Sequence, residues 1–263
     1  MNPWLESIIL TLACVSSMYI LSRLVKRNDL MDVFWGLGFA IICFFFALRS
    51  SQFNTSKLAL LFIVCLWAVR LSVHILVKNY GKAEDFRYQN WRKEWGKTEW
   101  WRSFLQIYLL QGFFMFLIAL PIIAYMIKVD SSFTHSTLQS PIDAQATRWL
   151  GALISLLGLL IESVSDFQKS VFKKKNPNGL MKTGMWSYSR HPNYFGEAIY
   201  WWGIAFFTWS EVSFVYGIIS ALIITILLRY VSGVPMLEKA KEGDAAYEQY
   251  KKETPVFMPF IGT

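Results

Sequence analysis

The stretch Phe104–Ile127 reads FLQIYLLQGFFMFLIALPIIAYMI, 24 residues without one Asp, Glu, Lys or Arg. As a helix it would rise about 36 Å, enough to cross the ~30 Å hydrocarbon core of a bilayer. Working outward, runs of the same kind occupy Pro3–Leu21, Leu30–Ala47 and Leu58–Leu76 on one side. Trp149–Val164, Tyr194–Trp209 and Val212–Leu228 follow on the other. The third run carries Arg70 and His74, the fifth and sixth are short, and only Ser210-Glu211 separates the last two. The expected fold is all-α, an integral membrane bundle of about seven transmembrane helices forming a single domain over residues 1–263. A chain that is 54% hydrophobic, 17% charged and has a mean hydropathy of +0.35 is too apolar for an ordinary soluble domain.

Lys and Arg placement sets the expected orientation. Basic residues cluster after span one (Arg23, Lys26, Arg27), through Lys78–Arg102 after span three, through Lys169–Arg190 after span five, and from Arg229 onward. These alternate connections hold 21 of the 26 basic residues. They are expected to be cytoplasmic, with the C-terminus on the same side and the N-terminus opposite. The net charge of +8 is therefore a topology signature, spread over loops in a way that argues against a nucleic-acid partner. The membrane would be the inner membrane of a bacterium or the endoplasmic reticulum of a eukaryote, and a monomer is expected.

Several features read as structural. Cys14, Cys43 and Cys65 fall inside spans without CxxC spacing and read as small buried apolar residues. GLGFA at Gly36–Ala40 lies within an apolar span and follows no strand, so it is discounted as a dinucleotide fingerprint. Metal-ligand spacing is missing, and no metal is expected. The outer connection Ser131–Thr147 is polar, and its His135 reads as solvated. The basic connection Lys78–Ser103 mixes charge with Trp and Tyr, as an interfacial helix would.

Polar residues inside the spans are more informative, because each is expensive in hydrocarbon. Asp32, Arg70, His74, Glu162, Asp166, Asn193, Glu197 and Arg229 all fall in the half of the bundle expected to face the cytoplasm. Arg70/His74, Glu162/Asp166 and Asn193/Glu197 are spaced i, i+4, so each pair projects from one helix face. The pattern suggests a polar cavity with a wet cytoplasmic mouth, suited to a water-soluble cofactor and a lipophilic substrate arriving from the membrane lipid.

The sharpest local signal is Arg190-His191-Pro192-Asn193-Tyr194-Phe195-Gly196-Glu197, where Pro192 can open a helix. The longer stretch GLMKTGMWSYSRHPNYFGEAIYWWG, with ESVSDFQKSVF before it and YEQYKKETPVFMPFI near the C-terminus, resembles the membrane-bound steroid 5-alpha-reductase family and its bacterial relatives. The RHPNYxGE core is also similar to that of membrane sterol reductases acting at other ring positions. It likewise resembles isoprenylcysteine carboxyl methyltransferases, which use S-adenosylmethionine.

The resemblance implies NADPH-dependent reduction of the C4–C5 double bond of a 3-oxo-Δ4 steroid or a similar lipophilic enone. It places Asp166, Tyr188, Asn193, Glu197 and Trp201 at the cofactor. Lys173, or a neighbour in its run, and Arg190 would be partners for the phosphates, with Arg229 a further candidate. Family members bind the ketone through a glutamate early in the second helix and a tyrosine in the third. Alignment puts Asp32 and His74 at those places, two departures from the family pattern. A buried, protonated Asp32 could polarise the carbonyl, helped by His74. Tyr80 and Tyr88 are reserve donors, disfavoured by their position in a connection. The alternative reading is an S-adenosylmethionine-dependent methyltransferase, and a non-enzymatic sterol- or lipid-binding protein of the same fold is a third.

Overall fold

Asn2 accepts the Trp4 amide through its side chain at 2.9 Å, and Pro3 supplies the first helical residue. This cap opens α1 (Pro3–Val25), and the rest of the chain follows the same helical pattern. The computed structural model describes residues 1–50, 53–127 and 143–258. The expected solvated His135 and the Pro259-Phe260 pair lie outside the described residues. So does the greater part of the Ser131–Thr147 connection.

The described residues form two compact units, one from Met1 to Phe133 and one from Thr134 to Thr263. In the first, α1 is followed by α2 (Leu30–Arg49) and α3 (Thr55–Asn79), the latter capped by Asn54. A continuous helical run then covers Phe86–Ile127. It contains α4 (Phe86–Trp95), a 3-10 turn at Gly96–Thr98, α5 (Glu99–Ser103), a π-helical stretch at Phe104–Leu109 and α6 (Leu110–Ile127). The fourth apolar run is thus the second half of a longer helical element.

The core of this unit is aromatic and aliphatic. Phe39, Phe46 and Trp67 from α2 and α3 are fully buried beside Met115 and Ile118 of α6. Glycine lets α2 approach α3: a Cβ on Gly36 would lie 2.7 Å from the Ala68 carbonyl oxygen. That close approach, not a nucleotide, accounts for the first glycine of GLGFA. Large apolar side chains on the outer faces, such as Leu48, Phe62 and Val69, are exposed, as lipid-facing residues must be.

The second unit begins with α7 (Ala144–Lys175), whose N-terminus is capped by Asp143 through Gln145 N and Ala146 N. It continues through a 3-10 turn at Gly184–Ser187 to α8 (Pro192–Trp209) and α9 (Phe214–Ile226). A π-helical turn at Leu227–Val231, α10 (Val234–Lys239) and α11 (Ala245–Glu253) complete it. Helices α7 and α8 run antiparallel with almost no gap between their backbones. A Cβ on Gly196 would lie 2.6 Å from Glu162 N and 2.7 Å from Gly158 O. Gly151, Gly158 and Gly203 repeat the same approach along the seam.

Among the described residues, six helical segments have the length and apolarity to cross a membrane. They are Pro3–Val25, Leu30–Arg49, Thr55–Asn79, Phe86–Ile127, Ala144–Lys175 and Phe214–Lys239. The expected Tyr194–Trp209 span is the helix α8, which is outside these six and carries Asn193 and Glu197 in its first turns.

Candidate functional site

Each unit carries one dense polar cluster, and in the first it grows from the α1–α2 turn. Lys26 adopts a left-handed conformation (φ 60°) that ends α1 and lets Arg27, Asn28 and Asp29 turn back. Arg27 holds Asp29 at 3.0 and 2.7 Å. Asp29 and Asn28 then bind the connection that follows α3: Asp85 N donates to Asp29 Oδ2 at 3.2 Å, and Asn28 N to Glu84 Oε1 at 2.6 Å. Arg92 pairs with Glu84 at 3.0 Å and with Glu99 at 3.2 Å, and Arg23 also pairs with Glu99. These ties hold α4 against the start of α2.

Asp85 caps α4, accepting from Arg87 N at 3.0 Å. The cap starts the helix so that Arg87 and Tyr88 occupy its first turn. Tyr88 donates its hydroxyl proton to Asp32 Oδ1 at 2.5 Å and lies within hydrogen-bonding reach of Gln111 on α6. Arg87 Nη2 reaches Asp32 Oδ2 at 2.7 Å and Asp85 Oδ2 at 3.2 Å, while Nε meets Asp85 Oδ1 at 2.9 Å. Burial works against the Asp85 carboxylate, but its bonds to Arg87 prevail and hold its pKa below the ordinary 3.8.

Asp32 therefore has both oxygens engaged, by Arg87 and Tyr88, and the expected helper His74 is half-buried on α3. Tyr88 corrects its expectation as a loop residue: it is helical and only 2% exposed. Tyr80, the other reserve donor, is 83% exposed. The interfacial reading of Lys78–Ser103 fits the exposed Trp100 and Trp101 but not Tyr88 or Trp95, which are buried. The readable signal for Arg87 was the Asp85-Phe86-Arg87-Tyr88 order, an N-cap residue followed by a first turn.

In the second unit, the seam glycines bring Glu162 of α7 beside the first turns of α8. Glu162, Asp166 and Glu197 are all buried, and Trp201 is fully so. The loop before α8 folds onto the end of α7: Trp186 Nε1 donates to Ser165 O at 3.0 Å and Met185 N to Gln168 Oε1 at 2.9 Å. Tyr188 is half exposed in that loop. The Asn193 Oδ1 atom is buried and accepts no hydrogen bond among the described residues.

Two basic residues expected at cofactor phosphates have other partners. The Arg190 guanidinium is 8% exposed and bonds Glu238 Oε1 at 2.9 Å and the carbonyls of Lys251 and Thr254 at 3.0 and 2.6 Å. Its own amide donates to Pro255 O at 2.8 Å. Lys173 Nζ donates to Pro177 O and Gly179 O at 2.8 and 2.9 Å, closing the loop after α7. Both therefore act as clasps within the protein. Arg229 lies in the π-helical turn with its guanidinium 4.7 Å from the Tyr230 ring centre.

His191, missed as a site residue in the sequence, has its Nε2 3.2 Å from Glu238 Oε1 and its ring stacked on Tyr194. Phe257 packs near Ala198 and Val234, and Ser189 Oγ donates to Phe257 O at 2.8 Å. The C-terminal segment is in this way fastened to the start of α8.

Over 122 residues the chain is 29% identical to the protein-S-isoprenylcysteine O-methyltransferase of Saccharomyces cerevisiae. The match covers 43% of this chain and 48% of that relative, so the chain spans about half the length of the curated protein it matches. No solved structure matches. The profile of the protein family of unknown function DUF1295 covers residues 18–254, from within α1 to the end of α11, and the chain belongs to that family.

Proposed function

We propose that this protein is a membrane oxidoreductase that saturates the double bond of a steroid-like enone, with NADPH as the reductant. The observation that carries the reading is Asp32 in the first turn of α2, bound by Arg87 and Tyr88. Polarising a ketone in an apolar medium requires fixed hydrogen-bond donors where enolate charge develops, and Arg87 in this cluster supplies them. The resemblance of RHPNYFGE and its flanks to the steroid 5-alpha-reductases gives the reading its reaction.

The residues of the second unit fit the donor-rich parts of a nicotinamide dinucleotide. Asn193 Oδ1 is a buried acceptor awaiting a donor, and Asp166 and Glu197 are buried carboxylates able to accept from ribose hydroxyls or a carboxamide. Trp201 and Tyr188 would shield the ring. With Arg190 and Lys173 engaged elsewhere, Arg229, Lys174 and Lys175 are left as phosphate partners. NADPH, when bound, supplies the hydride; the chain's part is to orient it, exclude water and polarise the ketone.

A second reading, methyl transfer from S-adenosylmethionine, is favoured by the yeast methyltransferase relative. It is favoured also by the acidic character of the α7–α8 end, where the expected phosphate ligands are engaged by protein atoms. The deciding experiment incubates detergent-purified protein with progesterone and NADPH and, separately, with labelled S-adenosylmethionine. The saturated steroid should form, with losses of about 100-fold or more in Asp32→Ala and Asn193→Ala. Retention of labelled S-adenosylmethionine with no steroid product transfers the assignment to the methyltransferase reading.

A further inference from the structure

Arg87 has five N–H donors on a planar fork. Nε and Nη2 are directed at Asp85 and Asp32, and Nη1 has no partner among the described residues. Tyr88 has a single O–H, already given to Asp32. Asp32 accepts on both oxygens, so of the two residues bonded to it, only Arg87 retains donors to offer. Its side chain is 28% exposed, neither sealed in the core nor free in solvent.

From this we infer that Arg87 is the residue that receives the substrate's oxygen, and that the oxygen belongs to a neutral carbonyl compound, not a carboxylate. The inference rests on the enone reading for the identity of that compound. Two features of the site argue against an anion. A carboxylate pairs best with a bidentate edge of the guanidinium, but the Nε–Nη2 edge is held by Asp85 and Nη2 also by Asp32. The carboxylates of Asp32 and Asp85 moreover surround one guanidinium, leaving the trio with a net negative charge. A ketone needs only one or two N–H bonds from Nη1 and brings no charge. Asp32 and Asp85 are then positioning residues that orient the fork, and Tyr88 with Gln111 steadies Asp32.

The test uses the full-length protein in detergent without cofactor and three steroids of one skeleton: a 3-keto-4-ene, its 3-deoxo analogue and its 3-carboxylate. The ketone should bind with a red shift of its enone absorption, about tenfold tighter than the other two. Arg87→Gln should lose the shift and about tenfold in ketone affinity, whereas Tyr88→Phe should keep the shift. Equal binding of ketone and deoxo analogue, preferred binding of the carboxylate, or no binding of any of the three overturns the inference. So does a shift lost in Tyr88→Phe but kept in Arg87→Gln. The ligand series on the unaltered chain decides even where the Arg87 variant fails to fold. An Arg87-dependent shift without NADPH turnover leaves this inference standing and removes the reductase reading. Turnover with Arg87→Gln binding intact does the reverse.

Discussion

At the start of α8, His191 is 4% exposed, with Nε2 facing Glu238 and Nδ1 buried without a partner among the described residues. Burial pushes its pKa below the ordinary 6.5 and outweighs the attraction of Glu238. The folded protein thus keeps the ring neutral at a pH where the unfolded chain already binds a proton. Stability attributable to this residue is full above 6.5 and declines as pH falls from there toward the lowered folded value. The apparent melting midpoint in detergent should drop between about pH 7.5 and about pH 5.5, and His191→Gln should flatten that drop. An unchanged slope in the variant assigns the acid sensitivity to another group. Sequence spacing gave no access to this, because the pairing with Glu238 spans 47 residues and a helix of its own. The same limit hid Arg87, which meets Asp32 across 55 residues. Asp32 itself was legible because a carboxylate opening an apolar span is costly wherever it goes.

Among the elements, the α7–α8 seam carries the tightest packing in its unit. Gly196 sits against the backbone of Glu162 and Gly158, so Gly196→Ala places a methyl group where main-chain atoms already lie. The helices must separate, at a cost of about 1–3 kcal/mol for an overpacked site. That is measurable as a lower midpoint in detergent or SDS unfolding; an unchanged midpoint means the seam is slack there. Under the proposed function, the separation should also weaken binding of the proposed cofactor at the Asn193–Glu197 turn. Helix existence was readable from apolar length, but helix ends were not. Helix α7 runs to Lys175, well beyond the expected Val164, because its final turns carry Glu162, Asp166 and the lysine run on a helix that leaves the apolar layer. Helix α4 was readable as an interfacial helix, but its burial was not, because that burial depends on ion pairs and not on apolar periodicity.

At the scale of the whole molecule, strongly basic connections alternate with connections poor in Lys and Arg along the chain. The expected arrangement puts the Lys78–Ser103 region, the loop after α7 and the C-terminal segment on the cytoplasmic side. Single cysteines placed at Lys82, Lys174 and Lys241, in a chain lacking Cys14, Cys43 and Cys65, should react with a membrane-impermeant thiol reagent only after the cytoplasmic face is opened. A cysteine at Asn54 should react from the opposite side. Labelling of Lys82 and Lys174 sites from different sides overturns the alternation. The membrane class followed from composition alone, since so apolar a chain has few other places to fold. The chemistry did not, because RHPNYxGE is shared by enzymes with different cofactors.

The clasp around Arg190 has a bearing on biosynthesis. Its guanidinium and amide bind carbonyls of Lys251, Thr254 and Pro255, the first of them 61 residues further along the chain, and Ser189 reaches Phe257, 68 residues on. When α8 has just been synthesised, those carbonyls have not yet been made. The RHPNY turn must therefore wait, with Arg190 lacking these partners, until α9, α10 and α11 have been made. This half of the protein matures last, and a polypeptide stalled before residue 251 holds its helices in the bilayer with that turn still open.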